Sequence, residues 1–292
     1  MGGRSPEAVV MRALPLAIVW LMVHSAFGQC NANRRTGTLV IASGGREAVE
    51  RFVQLAGGPG ASIVFIPTAA SSLKSDSGVI WNPDDAGGAT REAFERDTLK
   101  RFGLTRLTIL HARDRRIANS QTFVAPIRAA RGVWFSGGNA GRLAAAYLGT
   151  RTQKEFEALL ARGGVIGGES AGAIIQGSYT VRGRPDKPVL MVKGHERGFG
   201  FVANVAINPH LSAQKRENEL VTVVDRYPEL LGIGIDDDTG LVVKSDRAEV
   251  FGLGRVAIYD NRKHKDGWYY WLRPGDHFDL CRRSLVNGKP AN

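Results

Sequence analysis

The residue pattern richest in chemistry is Gly168-Glu169-Ser170-Ala171-Gly172, an instance of G-x-S-x-G. A serine in that pattern is a nucleophile when a strand leads into it and a helix leads away, because the sharp turn lifts its hydroxyl clear of the backbone. Both conditions are met here. The apolar pair Val165-Ile166 precedes the motif, and Ala171–Gln176 reads as helix after it. So tight a turn needs small neighbours, and Gly167, Gly168, Ala171, Gly172 and Ala173 supply them. The N–H of Ala171, at the start of that helix, is suited to meet the oxyanion that forms during attack. The plain alternative is a glycine turn in which Ser170 only caps a helix.

A serine hydroxyl needs a base. Beyond the first thirty residues the histidines are His111, His195, His210, His264 and His277. His210 stands in Asn208-Pro209-His210-Leu211, between the strand-like Val202–Ile207 and the helix-like Ser212–Arg226, where a loop can hold an imidazole rigidly. Asp236-Asp237-Asp238 follows the apolar Leu230–Ile235 and offers a carboxylate to orient that imidazole. A solvent-facing or calcium-binding acidic turn is the alternative. In Ser136-Gly137-Gly138-Asn139, the two glycines let the backbone come close to a ligand, and the Gly138 N–H is a candidate second oxyanion donor.

The elements that must position these residues read as alternating strands and helices. Thr38–Ala42, Ala61–Ile66, Leu104–Leu110, Gly132–Phe135 and Val165-Ile166 are short apolar runs; Arg46–Ala56, Thr90–Phe102 and Lys154–Ala161 have helical spacing. This order predicts an α/β fold with a mostly parallel sheet covered by helices on both faces. In such sheets the loops at the carboxyl ends of the strands build the binding crevice. Leu241–Lys244, Glu249–Phe251, Val256–Tyr259 and Trp268–Leu272 read as an antiparallel extension of that sheet, and Gly183–Pro188 as a surface loop.

Composition narrows the class further. The chain has 292 residues, 43% hydrophobic and 23% charged, which is globular rather than disordered. Arg12, the apolar Ala13–Val23 and the small-x-small Ala26-Phe27-Gly28 predict a cleaved signal peptide over residues 1–28. A single domain over 29–292 would follow, in a secreted or periplasmic location. The apolar run is short for a membrane span, so no stable membrane insertion is expected. Cys30 and Cys281 would be the only cysteines left, and an oxidising compartment would let them pair. Such a bridge would stabilise the fold by roughly 5 kcal/mol in the chain-entropy model. The formal net charge of +11 invites a nucleic-acid reading. The basic residues are scattered, however, and no aromatic platform alternates with Arg113, Arg115 and Arg116, so no nucleic-acid partner is expected.

Taken together, the motifs resemble the cyanophycinase and aspartyl dipeptidase family of serine peptidases. The resemblance runs from about Thr38 to Tyr259 and rests on Ile63–Thr68, Phe135–Asn139 with Arg142-Leu143, Gly168–Ala173, Asn208–Leu211 and Leu231–Thr239, in that order. It implies a fold like that of class I glutamine amidotransferases and a Ser, His, acid order of the triad. By position, Ser170 is then the nucleophile, His210 the base and Asp237 the acid, where the family usually has glutamate. Gly138 and Ala171 would form the oxyanion hole. The implied partner is a peptide containing an aspartyl residue, with no metal and no cofactor; a homodimer is compatible with the resemblance.

Two departures bear on the substrate. Ala140 stands where the family's cyanophycin-cleaving members usually carry glutamine, a residue implied to help hold the substrate backbone. Glu169 stands where a small residue or threonine is usual, and its carboxylate is a candidate to raise the His210 pKa or to bind a cationic substrate group. Two other readings stay open from the sequence. An α/β-hydrolase esterase would place its histidine last, making His264 or His277 the base. A binding protein that kept the fold without the chemistry would also carry these departures.

Overall fold

The computed structural model describes Gly2 and residues 36–286 apart from 86, 184–188, 192–193 and 266. The expected signal segment, Cys30 and most of the Gly183–Pro188 loop lie outside the described residues. Cys281 is disulfide-bonded.

A nine-stranded sheet forms the centre of the unit Ala32–Asn292. Five neighbours run parallel: Thr38–Ala42, Val165–Glu169, Gly132–Phe135, Ile63–Ile66 and Thr108–Ile109. Thr239–Lys244 pairs antiparallel with Thr38–Ala42, and Arg247–Gly252, His277–Asp279 and Ser284–Leu285 continue the antiparallel side. The continuous apolar runs are explained by burial on both faces. Leu39 and Ile41, Val64 and Ile66, and Val133 and Phe135 face one core, while Val40, Ile63, Phe65 and Trp134 face the other.

One face is covered by the helices Arg46–Leu55 and Ala89–Phe102, through a cluster of Phe52, Phe94, Phe102 and Trp134 with several edge-to-face contacts. On the other face lie Gln121–Ala129, Ala140–Tyr147 and Arg151–Ala161, joined by a second sheet that the sequence pattern did not separate. Its five strands are ordered Tyr270–Leu272, Val256–Tyr259, Leu231–Ile235, Val202–Pro209 and Gly177–Tyr179. The expected C-terminal extension is thus divided. Thr239–Lys244 and Arg247–Gly252 extend the central sheet, whereas Val256–Tyr259 and Tyr270–Leu272 join the second. The turn at Gly252 (φ 106°) makes the switch; a Cβ there would lie 2.1 Å from the Asp238 carbonyl oxygen.

Several elements differ in extent from the sequence expectation. The strand expected over Leu104–Leu110 is only Thr108–Ile109, and the helix after Ser170 ends at Ile174. The helix expected over Ser212–Arg226 starts at Glu219. Its first part forms turns instead, fixed by Arg216, whose backbone N–H donates to Leu211 and whose Nη1 donates to the Pro209 carbonyl at 3.2 Å. Among the described residues no helix is long and apolar enough to cross a membrane.

The aromatic cluster generates a stability prediction. Phe52 is fully buried, so Phe52→Ala should cost about 3–5 kcal/mol, seen as a lower denaturation midpoint with an unchanged denaturant slope. The cysteine pairing is checked by digesting the protein under non-reducing conditions; a Cys30–Cys281 linked peptide that disappears on reduction is expected.

Candidate active site

Ser170 sits at the end of Val165–Glu169 with φ 53° and ψ −112°, a backbone region that residues other than glycine rarely occupy. Its N–H donates to the Ala42 carbonyl of the neighbouring strand at 3.0 Å, which fixes the turn from the sheet side. Close packing holds the turn from the helix side. A Cβ on Gly168 would lie 2.5 Å from the Gly172 carbonyl oxygen, and one on Gly172 would lie 2.3 Å from that of Phe135. The small residues around Ser170 are therefore a steric requirement of the turn.

The other two members come from the second sheet. Leu231–Ile235 runs parallel to Val202–Pro209 with Ile235 opposite Pro209, so His210 and the acidic turn leave adjacent strands at the same end. His210 Nε2 lies 3.0 Å from Ser170 Oγ, and its Nδ1 lies 2.5 Å from Asp237 Oδ1. With Nδ1 protonated towards the carboxylate, Nε2 is free to accept the Ser170 hydroxyl proton. The structure thus brings together the three residues singled out from the sequence and distinguishes among the three aspartates. Asp236 is buried and braces the surrounding backbone. Its Oδ1 accepts from the Ser212 N–H and hydroxyl, and its Oδ2 accepts from the Arg255 N–H. Asp238 takes a positive φ and turns its carbonyl to the Leu253 N–H. Only Asp237 points at the imidazole.

Ser43 is a fourth participant that the sequence pattern does not single out. It is buried at the end of Thr38–Ala42, where Ser43-Gly44-Gly45 looks like a strand stop. Its hydroxyl accepts the backbone N–H of His210 at 3.0 Å and donates to Asp237 Oδ1 at 3.1 Å, close beside His210 Nδ1 at the same distance. A strand-end serine gives no local signal of such a role, because its partners lie 167 and 194 residues away.

The remaining expected site residues divide. Gly137 lies opposite the nucleophile: a Cβ on it would be 3.4 Å from Ser170 Cβ. Gly138 has φ 136° and packs on Ala69, where a Cβ would lie 2.3 Å from the carbonyl oxygen. Ala171 is buried and opens the short helix, so its N–H has no acceptor in the preceding turn of that helix. Asn139 is a helix cap, its Oδ1 accepting the Gly141 N–H at 2.8 Å, and Ala140 is the buried first residue of that helix. Glu169 has a partner that the sequence pattern did not point to: its carboxylate accepts Arg101 Nη2 at 2.9 Å, so its charge is matched by a guanidinium. The pair borders a shallow surface pocket lined also by Phe65, Leu73, Lys74 and Asp97.

The histidines of the competing reading are placed elsewhere. His264 is bonded to Asp260 at 2.8 Å, and His277 lies in an outer strand of the central sheet. Behind His210, Asn208 Nδ2 donates to Glu219 Oε2 at 2.9 Å, and Glu219 also pairs with Arg182. Arg216 stands nearby, its pKa lowered by burial first and by repulsion from Arg182 second, against the attraction of Asp237. Among the described residues no cluster of three or more His, Cys, Asp or Glu side chains is arranged to hold a metal.

A serine, histidine and aspartate aligned at the carboxyl ends of strands in an α/β fold have the arrangement of a serine-type hydrolase. The comparisons with known proteins agree. Residues 39–251 match the model of peptidase family S51, and the chain belongs to that family. It is 30% identical over 236 residues to a cyanophycinase of Nostoc sp., covering 77% of this chain and 74% of that protein. A cyanophycinase of Geminocystis herdmanii is 28% identical over 222 residues, covering 75% and 76%. Two solved structures share the fold. One is a peptidase from an acI-B1 Actinobacterium (TM-score 0.61, 22% identity, 83% of this chain and 96% of that one). The other is a putative peptidase E protein from Listeria monocytogenes (TM-score 0.50, 19% identity, 75% and 99%). The fold is the glutamine amidotransferase-like α/β fold of these peptidases, and the protein is a serine-type peptidase.

Ser43 supplies the prediction of this section. Ser43→Ala removes both hydrogen bonds of that hydroxyl, the acceptor of the His210 N–H and the donor to the charged Asp237; loss of the charge-assisted bond alone, about 1.5 kcal/mol, should lower kcat about tenfold or more with little change in KM. Steady-state kinetics on the wild-type and variant proteins check it.

Proposed function

We propose that the protein is a secreted serine exopeptidase that hydrolyses aspartyl peptide bonds through an acyl-enzyme on Ser170. The observation that carries this reading is the continuous hydrogen-bonded line from Ser170 Oγ through His210 to Asp237. His210 takes the Ser170 proton as Oγ attacks the carbonyl carbon. The N–H groups of Gly138 and Ala171 receive the oxyanion, and Asp237 balances the imidazolium. Collapse of the intermediate breaks the C–N bond, and His210 Nε2–H gives its proton to the leaving amine. Water, deprotonated by the same histidine, then attacks the acyl carbon and frees Ser170 with an acidic product.

The aspartyl substrate is supported by the names of the relatives, which are cyanophycinases. Cyanophycin, a β-aspartyl dipeptide or an α-aspartyl dipeptide is the proposed substrate. Ala140 favours the dipeptides, because a buried methyl at the head of a helix has no group to hold a polymer backbone. The secreted location is supported by the signal-like residues 1–28. The esterase reading loses its base, since His264 and His277 make their contacts away from Ser170.

The test is a substrate panel. Protein lacking residues 1–28 is incubated with cyanophycin, β-Asp-Arg, β-Asp-Lys and Asp-X dipeptides, and released amino acids or dipeptides are measured. Turnover of at least one of them is expected, with loss of about 10⁴-fold or more in Ser170→Ala while the circular dichroism spectrum is unchanged. Near-normal turnover by Ser170→Ala would sink the proposal, as would His210→Ala activity equal to wild type.

A further inference from the structure

Beyond the triad, Arg113 binds three residues through one guanidinium. Its Nε and Nη2 donate to the two oxygens of Asp84 at 2.9 and 3.2 Å. Nη1 donates to the Thr68 carbonyl at 2.5 Å and Nη2 to the Ala70 carbonyl at 2.7 Å. These two carbonyls flank Ala69. The Ala69 carbonyl accepts the Asn139 N–H at 2.9 Å and Arg142 Nη1 at 3.3 Å, and Gly138 packs directly upon it. One guanidinium therefore fixes the loop on which the turn opposite Ser170 rests.

The far side of the clamp is equally determined. Asp84 also accepts His111 Nε2–H at 2.9 Å, and Arg113, then His111, hold its carboxyl down at about 2, so it stays charged. His111 Nδ1 lies 3.0 Å from Thr68 Oγ1, which lies 2.7 Å from Tyr147 Oη; that oxygen accepts the Ala112 N–H at 3.2 Å. Each group has one proton to give, and a neutral His111 allows a single consistent direction: Ala112 N–H to Tyr147, Tyr147 O–H to Thr68, Thr68 O–H to His111, and His111 Nε2–H to Asp84. Burial lowers the His111 pKa, in keeping with the neutral ring. A protonated ring would donate to Thr68 Oγ1 and leave the hydroxyl proton of either Thr68 or Tyr147, both buried, without an acceptor in this chain.

We propose that Arg113, oriented by Asp84, is a positioning residue for the oxyanion turn: it holds Thr68 and Ala70, and through Ala69 it sets Gly138 at its distance from Ser170. This rests on the reading of Ser170 as nucleophile and Gly138 as oxyanion donor. A lysine cannot replace the guanidinium, because a single ammonium cannot bridge two carbonyls and a carboxylate in one plane.

The experiment follows inactivation by a fluorophosphonate probe, whose phosphoryl oxygen occupies the same site as the oxyanion, resolved into kinact and KI. Arg113→Met and Arg113→Lys should each lower kinact about tenfold or more and leave KI within about twofold. Low, non-denaturing guanidinium should restore part of kinact in Arg113→Ala. A variant whose effect lies in KI alone, or whose kinact equals wild type, overturns the proposal, and so does the absence of guanidinium rescue. Should the Arg113 variants fail to fold, Asp84→Asn serves, since that carboxylate is half-exposed; a lower kinact supports the proposal and an unchanged one overturns it. Wild-type protein that the probe does not label at all would instead remove the nucleophile reading on which the proposal rests.

Discussion

The hydroxyl of Ser43 ties together the two sheets that carry this site. It belongs to the central sheet, where the nucleophile is built, and it binds the backbone of His210 and the carboxylate of Asp237, which both belong to the second sheet. Two groups from separate sheets must meet within hydrogen-bond distance for Ser170 to lose its proton. A single buried hydroxyl with one donor and two acceptor positions is the smallest group that can bind a backbone N–H and a carboxylate together.

The chain path makes that junction unavoidable. Leu231–Ile235 lies in the second sheet and Thr239–Lys244 in the central one, so Asp236, Asp237 and Asp238 form the crossing itself. Three carboxylates in a row would repel one another if they pointed the same way. The crossing separates them: Asp236 turns inward to backbone and hydroxyl donors, Asp237 faces the imidazole, and Asp238 takes a left-handed conformation against Gly45. The Ser43 N–H bond to the Thr239 carbonyl closes the same junction from the central sheet.

Strain at Ser170 is tolerated because its surroundings leave no alternative. The Gly168, Gly172 and Phe135 backbones touch, the Ser170 N–H is taken by Ala42, and Gly137 stands across from the side chain. Gly138 depends in the same way on Ala69. The two sides of the site are thus set by contacts between backbones, which cannot relax as side chains do, and this rigidity suits donors that must be in place before charge develops.

The sequence by itself determined the elements with continuous or periodic patterns. The parallel strands, the helices Arg46–Leu55 and Ala89–Phe102 and the Ser170 turn were legible, because each is dictated by residues close together in the chain. Ser170, His210 and the Asp236–Asp238 turn stood out as candidates in the sequence, and the choice of Asp237 came from the family resemblance. What the sequence left open was decided by partners far away in the chain. Nothing local tells Asp237 from its neighbours, makes Ser43 more than a strand stop, or gives Glu169 to Arg101. Nor do short apolar runs reveal which of two sheets they enter, since burial on both faces removes the alternation that would mark a sheet's inner side. The separation into two sheets, and with it the meeting of nucleophile and base, is a property of packing that only the tertiary structure decides.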